Sequence, residues 1–88
     1  MYRLEMKPRV ERDLERMPEE VRWRAIAALD AMKIDPRRNR PGFDCRKMGG
    51  SEGLWRVRVG GWRILYAIHD VVQVVEVTRV APRPTAYR

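Results

Sequence analysis

The stretch Leu54-Trp-Arg-Val-Arg-Val-Gly-Gly-Trp-Arg-Ile-Leu-Tyr66 decides the fold, because it alternates apolar and polar residues on both sides of a glycine pair. Gly60 and Gly61 readily take the positive φ angles of a tight hairpin turn. A two-residue turn makes three facing pairs on one side of the hairpin: Val59 with Trp62, Val57 with Ile64, and Trp55 with Tyr66. These residues are all apolar or aromatic, so we expect this side to be buried.

The opposite side of the predicted hairpin is basic. The same register pairs Arg58 directly with Arg63 and places Arg56 one step away. Like charges directly opposite each other destabilise a hairpin by a few tenths to about 1 kcal/mol. Three arginines on one strand face therefore indicate an anionic partner, for which a phosphate group is the natural candidate. The alternative is an exposed ion-pair lattice with Glu52 or Glu76, which would contribute little energy.

Length and composition predict one domain over residues 1–88. The chain has 88 residues, of which 44% are hydrophobic and 35% charged, as expected for a folded globular protein. Its longest apolar stretches have the length of strands and are too short to span a membrane. The N-terminus does not resemble a signal peptide, and the single Cys45 excludes an internal disulfide. We therefore expect a cytoplasmic protein with no membrane partner.

The positive charge is confined to one part of the chain. Residues 1–35 carry eight Lys or Arg and eight Asp or Glu, whereas residues 36–88 carry eleven and four. The second part thus accounts for the whole net charge of +7. Nucleic acid is the leading explanation for such a bias, although many small basic domains bind nothing specific.

The remaining pattern supplies a strand, two helices and a further strand. Residues 2–6 alternate as a half-buried strand, and Pro8 opens a short helix whose apolar side contains Val10, Leu14 and Met17. A second helix begins at Pro18 and ends near residues 34–35, because Pro36 disfavours helical geometry in the residue before it. Residues 35–53 are predicted to be a loop, residues 71–80 a third strand after the hairpin, and residues 81–88 an irregular tail.

The order β-α-α-β-β-β predicts an α+β fold of two layers. We expect an N-terminal strand and a helical hairpin packed on one face of a mainly antiparallel four-stranded sheet. The helices should cover the apolar side of the hairpin, so the arginines remain open to solvent.

Candidates for metal or nucleophilic chemistry are scarce. His69 is the only histidine and is predicted to lie in a turn, and Cys45 and the acidic residues after position 36 show no ligand spacing. We expect no cofactor and no metal site. RNA can be cleaved without metal when its 2′-hydroxyl attacks the adjacent phosphate, and arginines stabilise the charge that develops there. A general acid or base is still needed, for which Tyr66, Tyr87 or an arginine are the candidates.

Three segments together resemble the RelE/ParE superfamily of toxins from type II toxin–antitoxin pairs. They are Arg46-Lys-Met-Gly49, the hairpin described above, and the ending Val77-Thr-Arg-Val-Ala-Pro-Arg-Pro-Thr-Ala-Tyr-Arg88. The resemblance spans almost the whole chain and implies the fold deduced above. It also implies an activity, because the RelE branch cleaves mRNA in the ribosomal A site without metal.

The resemblance assigns roles by position. Arg63 and Arg83 would stabilise the transition-state phosphate, Arg58 would occupy the position of the general base, and Tyr87 would stack on or orient the substrate base. Arg56 would bind phosphate. We also assign phosphate binding to three further basic residues: Arg46, Lys47 and Arg79.

This chain departs from the family pattern at the expected site. Positions 56 and 58 hold arginine where the best-known ribosome-dependent nucleases carry lysine, which loses its proton more easily. Pro82 stands where many relatives have histidine. The ParE branch instead poisons DNA gyrase with the same fold, so the fold does not determine the target. A gyrase inhibitor and an inactivated member that only binds an antitoxin therefore remain alternatives.

The partners follow from the same resemblance. They are a small antitoxin with an acidic, partly disordered segment, the ribosome and mRNA, and operator DNA reached only through the antitoxin.

Overall fold

The computed structural model of the protein describes residues 1–49 and 53–82. It contains one five-stranded sheet and two helices. The strands lie in the order β1-β5-β4-β3-β2, with β1 parallel to β5 and the other neighbours antiparallel. The elements are β1 (Arg3–Met6), α1 (Pro8–Glu15), α2 (Glu19–Ile34), β2 (Asp44–Lys47), β3 (Leu54–Val59), β4 (Trp62–His69) and β5 (Val74–Pro82). This confirms the predicted α+β class. Neither helix is long and apolar enough to cross a membrane.

The predicted count of four strands was wrong, because the expected loop over residues 35–53 contains strand β2. Asp44–Lys47 pairs antiparallel with β3, and Cys45 fits into the core opposite Val57. The turn before it is closed by backbone hydrogen bonds between Arg40 and Phe43. A four-residue strand with a single buried side chain has too little periodicity to predict. It forms because β3 offers it a free edge of backbone hydrogen bonds.

The central hairpin has the predicted register. Val59 lies opposite Trp62, Val57 opposite Ile64, and Trp55 opposite Tyr66. Gly60 has a positive φ of 59°, and Gly61 does not. A positive φ at the first turn position alone is the pattern of a type II′ turn, which suits the twist of paired strands.

The helical hairpin covers the apolar side of the sheet, as predicted. Val10 of α1 and Met17 of the turn that follows α1 are almost fully buried, as is the stripe of α2 that faces the strands. The α2 stripe consists of Ala25, Ala28, Leu29 and Met32. On the sheet they meet a layer of mostly β-branched side chains: Val57, Val59, Ile64, Tyr66, Val75, Val77 and Val80.

Strand β5 differs from its prediction in its limits and its regularity. It spans Val74–Pro82 rather than residues 71–80, because residues 70–73 form the turn that follows β4. Its register against β4 shifts between Leu65 and Tyr66, leaving Thr78 as an extra residue. This bulge lets both Val77 and Val80 face the core, which strict alternation would forbid. The tail expected from residue 81 therefore begins later, and residues 83–88 lie outside the described part of the chain.

Candidate functional site

The outward side of the sheet gathers arginines from four strands. Arg46 on β2 lies opposite Arg56 on β3, and Arg58 on β3 lies opposite Arg63 on β4. Arg79 on β5 faces the same side, since it pairs with Leu65. We call these five residues the arginine face. Neighbouring strands are about 4.8 Å apart and alternate residues along a strand about 7 Å apart, so the five side chains lie within one continuous patch.

Two arginines of this face carry buried nitrogen atoms that have no hydrogen-bond partner among residues 1–49 and 53–82. These atoms are Nη1 of Arg56 and Nε of Arg63, and both residues are half-buried. A buried donor without an acceptor costs on the order of 1–3 kcal/mol, so most proteins avoid it. An oxygen atom of a bound partner would satisfy these two donors once the groups that cover them move aside.

The positive charges of the arginine face repel one another, which also favours the binding of an anion. Burial lowers the pKa of Arg56, and the positive charges of Arg58, Arg46 and Arg63 lower it further. The negative charge of Asp44 opposes this shift. An anion bound here would relieve the repulsion between the arginines.

Glu76, one of the two carboxylates of the alternative ion-pair lattice, is not paired with the arginine face. Glu76 is bound to Lys7 and His69, each at 3.1 Å, and these contacts lower its pKa. Among the described residues, the only ion pair recorded for the arginine face joins Arg58 Nη1 to Asp44 Oδ2 at 3.9 Å. Glu52 lies outside the described residues. The positive charge of the face is therefore mostly uncompensated.

Asp44 is the site residue that sequence reasoning missed. Its position on the arginine face depends on strand β2, which the sequence pattern did not reveal. The one available signal was the apolar Cys45 between the charged residues Asp44 and Arg46.

Lys47 is separated from the other predicted phosphate ligands. It pairs with Trp55 on the side of the sheet that carries the helices, at the edge strand β2. Its side chain is exposed, but it does not share a face with Arg46.

Of the two tyrosines predicted as a possible acid or base, Tyr66 lies among the described residues. Tyr66 is fully buried and donates its hydroxyl hydrogen to the carbonyl oxygen of Pro36 at 2.7 Å. Burial raises the pKa of this hydroxyl well above its usual range, so Tyr66 is a core residue and does not reach the arginine face. Arg83 and Tyr87 lie outside the described residues, and their assignments stay predictions.

The arrangement suits the binding of a polyanionic chain. Guanidinium groups match phosphate oxygens with two donors each and keep their charge at neutral pH. In the part of the chain that the structure describes, no three His, Cys, Asp or Glu side chains come together as metal ligands.

Comparison with known proteins identifies relatives along almost the whole chain. Residues 4–87 match the family model described as the ParE toxin of the type II toxin–antitoxin system parDE. Toxin RelE of Mycobacterium tuberculosis is 35% identical over 78 residues, which cover 88% of this chain and 76% of that protein. Putative toxin RelE1 of Methanocaldococcus jannaschii is 24% identical over 87 residues, which cover 99% of this chain and 96% of that protein.

A solved structure agrees with the same relationship. The archaeal RelE–RelB complex of Pyrococcus horikoshii contains a chain of the same fold, with a TM-score of 0.82 and 25% identity. The match covers 97% of this chain and 98% of that chain.

Proposed function

The chain belongs to the RelE/ParE superfamily, the toxins of type II toxin–antitoxin pairs, and we propose that it is a metal-independent endoribonuclease that cleaves mRNA on the ribosome. The observation that carries this proposal is the arginine face, in which Nη1 of Arg56 and Nε of Arg63 have no hydrogen-bond partner within the described part of the chain. Phosphate oxygens of a bound RNA would accept hydrogen bonds from both.

The proposed chemistry uses the arginines as fixed positive charges. During attack by the 2′-hydroxyl, negative charge builds on the phosphate oxygens, and preorganised donors stabilise this state more than the ground state. We assign this role to Arg63 and Arg83, with Arg56 holding an oxygen of the phosphate. Tyr87 would stack on or orient the substrate base. Removing one such donor from an enzyme typically slows the reaction by about 10²–10³-fold.

The remaining residues of the arginine face would extend the contact along the RNA. Arg46 and Arg79 lie on either side of the central pair and suit the neighbouring phosphates. Lys47, on the other side of the sheet edge, would reach a phosphate only if the RNA strand bends around β2. The resemblance puts Arg58 in the position of the general base.

The proposed partners follow from the family and from the charge. The chain of Pyrococcus horikoshii that shares this fold was solved as a RelE–RelB complex, which supports an antitoxin partner here. We expect the antitoxin to cover the arginine face with an acidic segment, and to carry the complex to operator DNA. The ribosome, mRNA and a cytoplasmic location belong to the same proposal.

Inhibition of DNA gyrase is the second candidate function. The observation in its favour is the family model itself, which describes a ParE toxin. Arginine rather than lysine at positions 56 and 58 also favours a binding role over proton transfer. A gyrase inhibitor would produce gyrase–DNA adducts and DNA-damage signalling, with intact transcripts.

Expression of the chain alone in a bacterial host, with transcript 5′ ends mapped at nucleotide resolution, tests the proposal. We expect new cuts inside translated frames at a fixed codon position, and none with Arg63→Ala. Arg12→Ala removes an equal charge from an exposed site on α1 and is the matched control. Growth arrest without such cuts would point to gyrase. The absence of any arrest would favour an inactivated antitoxin-binding protein.

A further inference from the structure

The proposed cleavage needs a group that takes the proton from the 2′-hydroxyl, and the arginines are poorly suited to this. A guanidinium group is too weak an acid to lose its proton at neutral pH. Tyr66 is buried and its hydroxyl is engaged by Pro36. Tyr87 lies outside the described residues, so the candidates that the structure describes are other side chains on the outward side of the sheet.

Four described side chains on that side carry a carboxylate or an imidazole, and their distances from Arg58 and Arg63 differ. Glu5 lies beside Glu76 on β1, one strand further from Arg63, and is bound to Arg3 at 3.1 Å. His69 is six residues from Arg63 along β4, about 20 Å away. Glu76 lies at the level of Ala67, four residues or about 13 Å from Arg63, and is bound to Lys7 and His69. Asp44 lies directly opposite Arg58, which in turn lies opposite Arg63.

We propose that Asp44 is the general base of the RNA cleavage, an inference that rests on the proposed function. Its carboxylate oxygen Oδ2 lies 3.9 Å from Arg58 Nη1, and its side chain is 56% exposed. Asp44 and Arg63 are separated by two strand spacings, roughly 10 Å between backbones. A phosphate held above Arg58 is therefore within reach of the Asp44 carboxylate from one side and of the long Arg63 side chain from the other.

The reaction balances without a cofactor. The Asp44 carboxylate accepts the proton of the 2′-hydroxyl, and the 2′-oxygen forms a bond to the adjacent phosphorus. The bond between phosphorus and the 5′-oxygen breaks, and the departing 5′-oxygen takes a proton from water. The products are a 2′,3′-cyclic phosphate and a 5′-hydroxyl end, and Asp44 then returns its proton to solvent. Arg58 binds a phosphate oxygen in this scheme.

A role in stability alone explains Asp44 poorly. An exposed ion pair at this distance contributes little, and Asp44 lies on a four-residue edge strand. The negative charge of Asp44 repels a phosphate group, whereas the neighbouring arginines attract it. These arginines are Arg46, Arg56, Arg58 and Arg63. A carboxylate at this position therefore weakens affinity for phosphate, and a role in the cleavage step would offset this cost.

These opposing effects make Asp44→Asn decisive, since it keeps the shape of the side chain and removes its charge. We would measure single-turnover cleavage of mRNA on programmed ribosomes at saturating toxin, from pH 5 to pH 9. Affinity would be measured separately with an A-site codon that carries 2′-O-methyl groups and cannot be cleaved. Asp44→Glu, which keeps a carboxylate, and Glu76→Gln, a carboxylate distant from the arginine pair, are the controls.

We expect Asp44→Asn to slow cleavage by at least about 100-fold while its affinity stays equal or increases. The groups that face Asp44 are Arg46 on its own strand and Arg56 and Arg58 on β3. Asp44→Glu should retain most of the activity, and Glu76→Gln should match the wild type.

Two results would overturn the assignment. One is cleavage by Asp44→Asn within threefold of the wild type with the same pH dependence. The other is a loss of affinity as large as the loss of rate, which would make Asp44 a binding residue. A wild-type protein that binds ribosomes but leaves mRNA intact would instead refute the proposed function itself.

Discussion

Replacing Asp13 by alanine removes the acceptor for a buried backbone N–H of strand β5. Asp13 lies in α1 and is only 4% exposed, and its Oδ2 atom accepts a hydrogen bond from the Val80 N–H at 3.0 Å. Arg9 lies 3.5 Å from the same oxygen. Strand β1 pairs with β5 only as far as Val77, so beyond it this side of β5 has no neighbouring strand. The Asp13 carboxylate therefore accepts the hydrogen bond from Val80 that a neighbouring strand would otherwise accept.

The expected cost follows from what alanine leaves behind. A hydrogen bond to a charged group contributes about 1.5–3 kcal/mol, and a buried N–H without an acceptor costs about 1–3 kcal/mol. These figures describe the same loss from two sides, so we expect Asp13→Ala to lower the free energy of unfolding by about 2–3 kcal/mol. With a Tm change of about 4–8 °C per kcal/mol for domains of this size, Tm should fall by about 10–20 °C.

Thermal unfolding followed by circular dichroism measures this change, with Asp30→Ala as the control. Asp30 is also a helical aspartate, but its side chain is 69% exposed and pairs only with Lys33 at 3.4 Å. Its replacement should alter the free energy of unfolding by less than about 0.5 kcal/mol. Asp13→Asn keeps an oxygen acceptor and should fall between the two. An Asp13→Ala protein with a Tm within 2 °C of the wild type would refute the role given to this carboxylate.

Three further predictions concern the hairpin turn, the acid range and the arginine face. Gly60→Ala should destabilise the protein by about 1–2 kcal/mol, because Gly60 has a positive φ of 59° and an added Cβ would lie 3.4 Å from Arg24 Nη1. Gly61→Ala, where a Cβ meets nothing within 4 Å, should cost less in the same urea titration, and equal costs would contradict the turn geometry. The hydrogen bonds of Arg37 and of the Tyr2 hydroxyl hold the pKa of Asp70 at about 2, below its ordinary value of 3.8. This contribution to stability is present above pH 3.8 and is lost as the pH falls towards 2, so Asp70→Asn should flatten the loss of stability in that range, and parallel curves would disprove the linkage. Affinity for ribosomes should fall steeply with salt, since bound phosphates release counterions, and a flat salt response would count against an arginine face that binds RNA.

The hairpin was predictable because its determinants are local. Alternation and a two-glycine turn set the register over the whole of β3 and β4, and this register places Arg58 opposite Arg63. A slip by one residue would expose every apolar side chain, so the pattern admits one pairing. The two helices were predictable for a similar reason, since their apolar stripes recur at helical spacing and Pro8, Pro18 and Pro36 mark their ends.

The rest of the candidate site depended on contacts between distant segments. Strand β2 forms only because β3 presents a free edge, and this pairing brings Asp44 next to Arg58 and separates Lys47 from Arg46. Asp13 lies outside the apolar stripe of Val10 and Leu14 in α1, yet it is buried because β5 continues past the end of β1.

The sequence by itself determined the α+β class, the helical hairpin, and an arginine-bearing sheet face opposite the core. These features rest on periodicity and turn chemistry within segments of about ten to twenty residues. Only the tertiary structure decided the fifth strand, the bulge in β5, the buried nitrogens of Arg56 and Arg63, and the position of Asp44. Each of these depends on which distant segment supplies the missing neighbour. An edge strand, an unpaired N–H or a lone carboxylate has no local pattern that identifies its partner.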